Sequence, residues 1–153
     1  MNEKKILAWH FLPYDRRMRY HDSMLVEPGY IYTAHGPLKM CRWGMHASVR
    51  AIDALGYAPG SIVCRVRVWG DIERCKDKLV ARHREVLWMA DAKRALWLFA
   101  CDVAVRACAN ADVTDPDILA APATRRRWLD GEATGDEMSA AWSAARSAAW
   151  SAE

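Results

Sequence analysis

A pair of long alternating segments joined by a short charged link constrains this chain most. After Pro59-Gly60, the residues Ile62, Cys64, Val66 and Val68 alternate with Val63, Arg65, Arg67 and Trp69. That period of two sends successive side chains to opposite faces of a strand. A second run, Leu79 to Trp88, separates into Leu79, Ala81, His83, Glu85 and Leu87 against Val80, Arg82, Arg84, Val86 and Trp88. The charged link, Asp71 to Lys78, is short, so segments 61–69 and 79–88 are expected to pair antiparallel, with Gly70 ending the first. Arginines on both members predict a half-solvated antiparallel sheet and not a parallel core.

The flanking segments complete the outline. Ile6 to Leu12 is a short apolar run ended by Pro13, expected as a buried strand. Residues 13–23 are polar and basic and predict a solvated loop. Pro28-Gly29 marks a turn before the β-formers Tyr30 to Thr33, and Leu38 to Trp43 predicts another short strand, broken by Gly44. Ser48 is the expected N-cap of a short helix with Val49, Ile52 and Leu55 on one face, stopping at Gly56. Asp91 is the expected cap of a helix whose apolar residues, Leu96 to Phe99 and Val103 among them, cover most of its circumference and predict deep burial. Asp115-Pro116 restarts a helix with the cap before a first-turn proline. Pro122 is expected to interrupt it, leaving one or two turns to Leu129 before Gly131. Strands first and helices after argue an α+β fold, a small antiparallel sheet with C-terminal helices. Residues 1–131 read as one domain and 136–153 as an appended helical tail.

Bulk composition bounds the function class. Hydrophobic residues make up 52% and charged residues 27% of the chain, which are globular values. No apolar run is long enough for a membrane span, and the N-terminus lacks the long apolar region of a signal peptide, so a cytoplasmic location is expected and no membrane partner. A net charge of +3 falls short of a dedicated nucleic-acid binder. The five cysteines, Cys41, Cys64, Cys75, Cys101 and Cys108, form no closely spaced pair, so they read as reduced core thiols and no metal or other cofactor is expected. Trp9, Trp69, Trp88 and Trp97 read as core.

The tail is built differently. From Ser139 it repeats Ser-Ala-Ala-X, with X running Trp142, Arg146, Trp150. Alanine leads the helix propensity scale. A period of four on a 3.6-residue turn drifts by roughly 40° per repeat, so the two tryptophans lie on one broad stripe. An isolated helix of this length is marginal in water, so it is expected to dock on its own domain, a second copy or a partner. The run Arg125-Arg126-Arg127 beside Trp128 is a solvated helix end or a contact for an acidic or phosphate-bearing partner.

The stretch from Cys41 to Trp88 resembles an uncharacterised domain family common in bacteriophage and prophage genomes. The shared pattern falls on Cys41, Gly44, His46, Ala47, Gly70, Asp71, Ile72 and Lys78. The segment Arg127 to Thr134 and the Ala-Trp tail also fit. The resemblance implies a phage accessory protein in the cytoplasm of a bacterial host but no established activity. Function is therefore expected to lie in protein–protein interaction, such as inhibition of a host defence system like CRISPR-Cas. The candidate partner-binding residues are Arg125, Arg126, Arg127, Trp128, Trp142, Arg146 and Trp150, the partner being a host or phage protein, with a homodimer through the C-terminal helix also possible. A second reading is an enzyme. His10 in the first strand, His46 before a short helix and Glu85 in a late strand are similar in outline to ADP-ribosyltransferase-like folds. That resemblance implies NAD held near His10 and His46 and its ribose polarised by Glu85. Phe11 stands where the family has Gly, His46 where Tyr is usual, and Glu85 sits in an Arg-rich strand. For His46 itself two roles stay open: anion binding with the helix start, or hydrogen bonds to backbone that fix its loop.

Overall fold

The computed structural model describes residues 4–19 and 23–151. Residues 20–22 of the expected basic loop and the last two residues of the tail lie outside the described residues. The chain is α+β, with antiparallel strands in the N-terminal half and helices mostly in the C-terminal half. Its contacts divide it into two compact units, residues 1–92 and 93–153. The sequence groups residues 1–131 together, whereas the contacts place the helices after Ala92 with the tail.

The first unit holds β1 (Ile6–Leu12), β2 (Ile31–Thr33), β3 (Met45–Ala47), α1 (Ala51–Leu55), β4 (Ile62–Arg74) and β5 (Leu79–Asp91). The sheet runs β1-β4-β5-β2, and β3 also pairs with β5. One edge of β5 takes β4, and the other takes β3 opposite Leu79 to Ala81 and β2 opposite His83 to Glu85. Ser48, just past β3, exchanges two backbone hydrogen bonds with Trp9 of β1, at 2.7 and 2.9 Å. The sheet thereby curls back on itself around Leu12, Cys64, Val66, Val68, Leu79 and Val86. Ser48 is thus a pairing residue and not a cap. Helix α1 starts after Arg50 without a side-chain cap and turns Ala54 inward, leaving Val49 and Ile52 exposed.

The two long strands pair antiparallel, as their alternation requires, but they run further than it suggests. Gly70 does not end β4. It sits in a bulge, where the register steps from Trp69↔His83 to Ile72↔Ala81 and β4 carries one extra residue. Its φ of +83° and the Arg82 Cβ, 2.7 Å from where a side chain would start, leave room only for glycine. The true link is the turn Cys75 to Lys78, closed by a 2.8 Å backbone bond. A second register step, from Arg65↔Trp88 to Val66↔Val86, makes Leu87 the extra residue of β5. That slip moves Trp88 to the outer face, against Trp9 in an edge-on contact at 5.8 Å. Trp69 stacks on His83 at 5.3 Å, with Lys5 above it. Trp9, Trp69 and Trp88 therefore cover the outer face and are not core, because that face of the sheet carries Arg65 and Arg67 of β4, with Arg65 in register between Trp9 and Trp88. Residues Leu38 to Trp43 form a turn, bridged only at Lys39 and Trp43, and the strand begins after Gly44.

The second unit holds α2 (Lys93–Asn110), α3 (Pro116–Leu129) and α4 (Gly135–Ser151). Asp91 ends β5 and takes the Ser61 hydroxyl at 2.7 Å, so α2 begins at Lys93, one residue later than expected. Helix α2 buries only Cys101, and Phe99, Val103 and Val105 remain exposed, against the deep burial expected of it. Its apolar residues spread around the helix and do not form one stripe. Asp115 caps α3 as expected, accepting from the backbone N–H groups of Asp117 and Ile118. The helix continues through Pro122, which is buried, and so is not interrupted. Its C-terminus is a Schellman closure: Gly131 at φ +77° donates to Trp128 O while Glu132 donates to Arg127 O. Helix α4 opens on a capping box in which Thr134 and Glu137 exchange side-chain and backbone bonds at 2.7 and 3.1 Å.

Candidate functional site

The first unit contains a cavity of about 260 Å³ between β1, β3, α1 and the start of β5. Strand β1 contributes His10 and Leu12, the β3 segment contributes Gly44 to Ser48, and β5 contributes Arg84. Lys78, Arg17, Arg19 and Cys41 complete its polar lining, and no Asp or Glu is among the lining residues. Leu12, Met18, Met45 and Ala54 supply an apolar wall.

Arg84 dominates the electrostatics. Its register partner on β4 is Val68, so it points to the inner face and is only 3% exposed. Its Nη1 donates to the His46 carbonyl at 2.9 Å, and its Nε–H finds no acceptor. No ion pair with a carboxylate forms among the described residues. Burial pulls the guanidinium down to about 10, which still leaves it charged at neutral pH. Burial, the charge of Arg84 and the nearby His46 together hold His10 well below the ordinary histidine value, so His10 is a neutral imidazole with one donor and one acceptor. Burial likewise pushes the Cys64 thiol up to about 11.

His46 lines the same cavity with a different task. The Cys41 N–H can only donate, so His46 Nε2 accepts it at 2.9 Å. The ring proton then sits on Nδ1, 3.1 Å from the Gly44 carbonyl. The imidazole thus pins the loop 41–46, in which Cys41 takes φ +63° and Gly44 φ +127°. The Lys78 ammonium is stabilised first by the Cys41 side chain and lies 4.2 Å from the Tyr57 ring centre. Tyr57 gives its hydroxyl to Asp77 at 2.6 Å.

Of the three residues in the enzyme reading, the fold brings His10 and His46 to one cavity and leaves Glu85 elsewhere. Glu85 follows Arg84 in the strand and so faces the opposite side, where it pairs with Arg67 at 3.1 Å. Sequence alternation marked neither Arg84 nor Lys78 as site residues. The five cysteines are free, with Cys64 and Cys101 buried but Cys41 and Cys75 exposed, so only part of the set is core. No cluster of three or more metal-ligating side chains exists among the described residues.

In the second unit the candidate interaction residues converge. The Arg125 guanidinium lies over three indoles, Trp97, Trp142 and Trp128, at 5.4, 5.6 and 5.9 Å. Trp97 and Trp128 contact each other at 5.1 Å and are half-buried there. Arg126 pairs with Asp102. Arg127 donates to the Glu132 carbonyl and lies 4.0 Å from Glu137. Three successive arginines therefore splay, each to its own partner. Helix α4 fully buries no side chain: Trp142 is 53% and Trp150 71% exposed, and Arg146 is exposed. Trp142 touches this cluster through Arg125, whereas Trp150 stays open to solvent.

No helix among the described residues is long and apolar enough to cross a membrane. No curated protein and no solved structure matches the chain. Residues 13–96, more than half of the chain and most of the cavity-bearing unit, match a family described as a domain of unknown function (DUF7666), and the chain belongs to that family.

Proposed function

We propose that the chain acts by protein–protein interaction, as an accessory protein of a bacteriophage or prophage in the cytoplasm of its bacterial host. Its partner is a host or phage protein, a component of a defence system such as CRISPR-Cas being the favoured class. The observation that carries this reading is the exposure of Trp150 and Trp142 on α4, with Phe99, Val103 and Leu119 of the same unit also exposed. Burying one tryptophan stabilises by roughly 2–3 kcal/mol on an area basis. Leaving two largely uncovered is costly for a free protein and useful for one that seats them in a partner's pocket. The Arg125 cluster supplies a charged base beside Trp142.

The test compares wild type with Trp142→Ala/Trp150→Ala, by melting temperature, by mass from light scattering and by recovery from host lysate. The expected result is a stoichiometric partner lost in the variant, with melting temperature and mass unchanged. A shift from dimer to monomer makes a second copy the partner. No change in any of the three refutes the reading. The NAD-dependent alternative is favoured by the convergence of His10 and His46 on one cavity. Its test is NAD turnover by the wild type that is lost in Glu85→Gln.

A further inference from the structure

We propose that the cavity of the first unit binds a small oxyanion, a phosphate or carboxylate head on a compact apolar body, with Arg84 as its counter-ion. Three independent features point there. Among the described residues Arg84 is a buried cation without a carboxylate partner, and its Nε–H is unsatisfied. Buried charges are ordinarily paired, and a buried orphan donor calls for a group that completes it. The remaining charged lining is of one sign: Lys78, Arg17 and Arg19 bring positive charge, and no acidic side chain is among the described lining residues. The apolar wall of Leu12, Met18 and Met45 then gives the rest of the molecule somewhere to lie.

The parts have distinct roles. Arg84 supplies the charge-assisted hydrogen bonds. His10, neutral and beside it, supplies one donor and one acceptor, and Lys78 acts from the rim. His46 is a positioning residue, because both its ring nitrogens are engaged by the loop backbone and its carbonyl anchors Arg84. A volume of about 260 Å³ suits a molecule the size of a substituted ring. This site is separate from the α4 surface and stands or falls without it.

The test is calorimetric titration of the full chain with phenyl phosphate, benzoate and inorganic phosphate. The two aryl probes share an apolar body and differ in head group, so the tighter one identifies the source of the anion. Saturable 1:1 binding of at least one is expected, with inorganic phosphate weaker than phenyl phosphate. Arg84→Met should lose roughly ten- to hundredfold in affinity, the worth of charge-assisted hydrogen bonds. The same variant should keep or raise the melting temperature, because an apolar isostere removes an uncompensated buried charge. Lys78→Gln, at the rim, should fold as wild type and lose a few-fold. Histidine NMR signals of His10 and His46 should shift on titration in the wild type. Absence of binding by both aryl probes overturns the proposal, as does equal affinity in Arg84→Met, or binding that leaves both histidine signals unmoved. If Arg84→Met does not fold, Lys78→Gln and the histidine shifts decide alone.

Discussion

Gly44→Ala should be among the most damaging single-methyl additions in this chain, and its cost can be divided into two parts. Gly44 holds φ +127°, and a side chain there would start 2.3 Å from Val80 Cγ2 and 3.0 Å from Leu38 Cδ2. The backbone strain of a non-glycine residue in such a conformation is about 1–3 kcal/mol. Overpacking against a fully buried strand residue adds about 1–3 kcal/mol. The sum, roughly 2–6 kcal/mol, would move the urea midpoint by about 2 M or more at a slope near 1 kcal/mol/M. Gly29 is the internal control: its φ is +83° but a side chain would meet nothing within 4 Å. Gly29→Ala should therefore show the strain alone. Val80→Ala isolates the other part. By itself it removes two buried methyl groups, about 2 kcal/mol with its cavity. In the Gly44→Ala background it also removes the collision, so the double variant should be about 1–3 kcal/mol better than additive. The assay is urea unfolding followed by tryptophan fluorescence on all four proteins. Additivity within about 0.5 kcal/mol, or equal losses in Gly29→Ala and Gly44→Ala, would refute the close approach of the loop to β5.

Three further outcomes follow from the titratable groups. His10 binds its proton more weakly in the folded chain than in the unfolded one, so the unfolded state takes up the extra proton as pH falls. Its contribution is present above the unfolded value near 6.5 and is lost on acidification below it, by up to about 1.4 kcal/mol per pH unit. In Arg84→Met the His10 ring should titrate higher by NMR, since the second cause of its depression is gone; an unchanged value would place Arg84 too far away to matter. A thiol reagent should modify Cys41 and Cys75 rapidly in the native protein and reach Cys64 and Cys101 only on unfolding, given their exposures and the raised Cys64 thiol. Rapid native labelling of Cys64 would contradict the packing of β4.

The fold class was legible because the sheet and the caps are written in local chemistry. Alternation from Ile62 to Val68 survives in the structure with Cys64, Val66 and Val68 at 0% exposure. Asp115-Pro116 predicts its helix start because the capping oxygen and the missing proline N–H satisfy the same first turn. What misled was treating punctuation as termination. Gly70 reads as a stop, but a glycine with positive φ also makes a bulge, and the ladder resumes beyond it. Pro122 reads as a break, yet the helix tolerates it. Ser48 has the side chain of a cap and spends its backbone on Trp9 instead. In each case a long-range partner decided between two local outcomes, and a partner distant in sequence leaves no local trace.

The site was hidden for a related reason. An unbroken alternation puts Arg82, Arg84, Val86 and Trp88 on one face of β5, and two arginines with a tryptophan look like a solvated surface. The extra residue at Leu87 divides that set, sending Trp88 outward while Val86 and Arg84 stay opposite Val66 and Val68. Only the register with β4 shows that the arginine is inside. Once it is inside, its energetics reverse. On a solvated face Arg84 would cost nothing and mean little. In the interior, with no carboxylate partner among the described residues, it opposes folding by several kcal/mol, an expense that packing a methionine would avoid. The cavity beside it is lined by further positive charge and by a histidine that Arg84 helps to keep neutral. A core that holds a lone cation next to an open volume is incomplete as a core and complete as one half of an ion pair. The missing half, on this reasoning, arrives from solution.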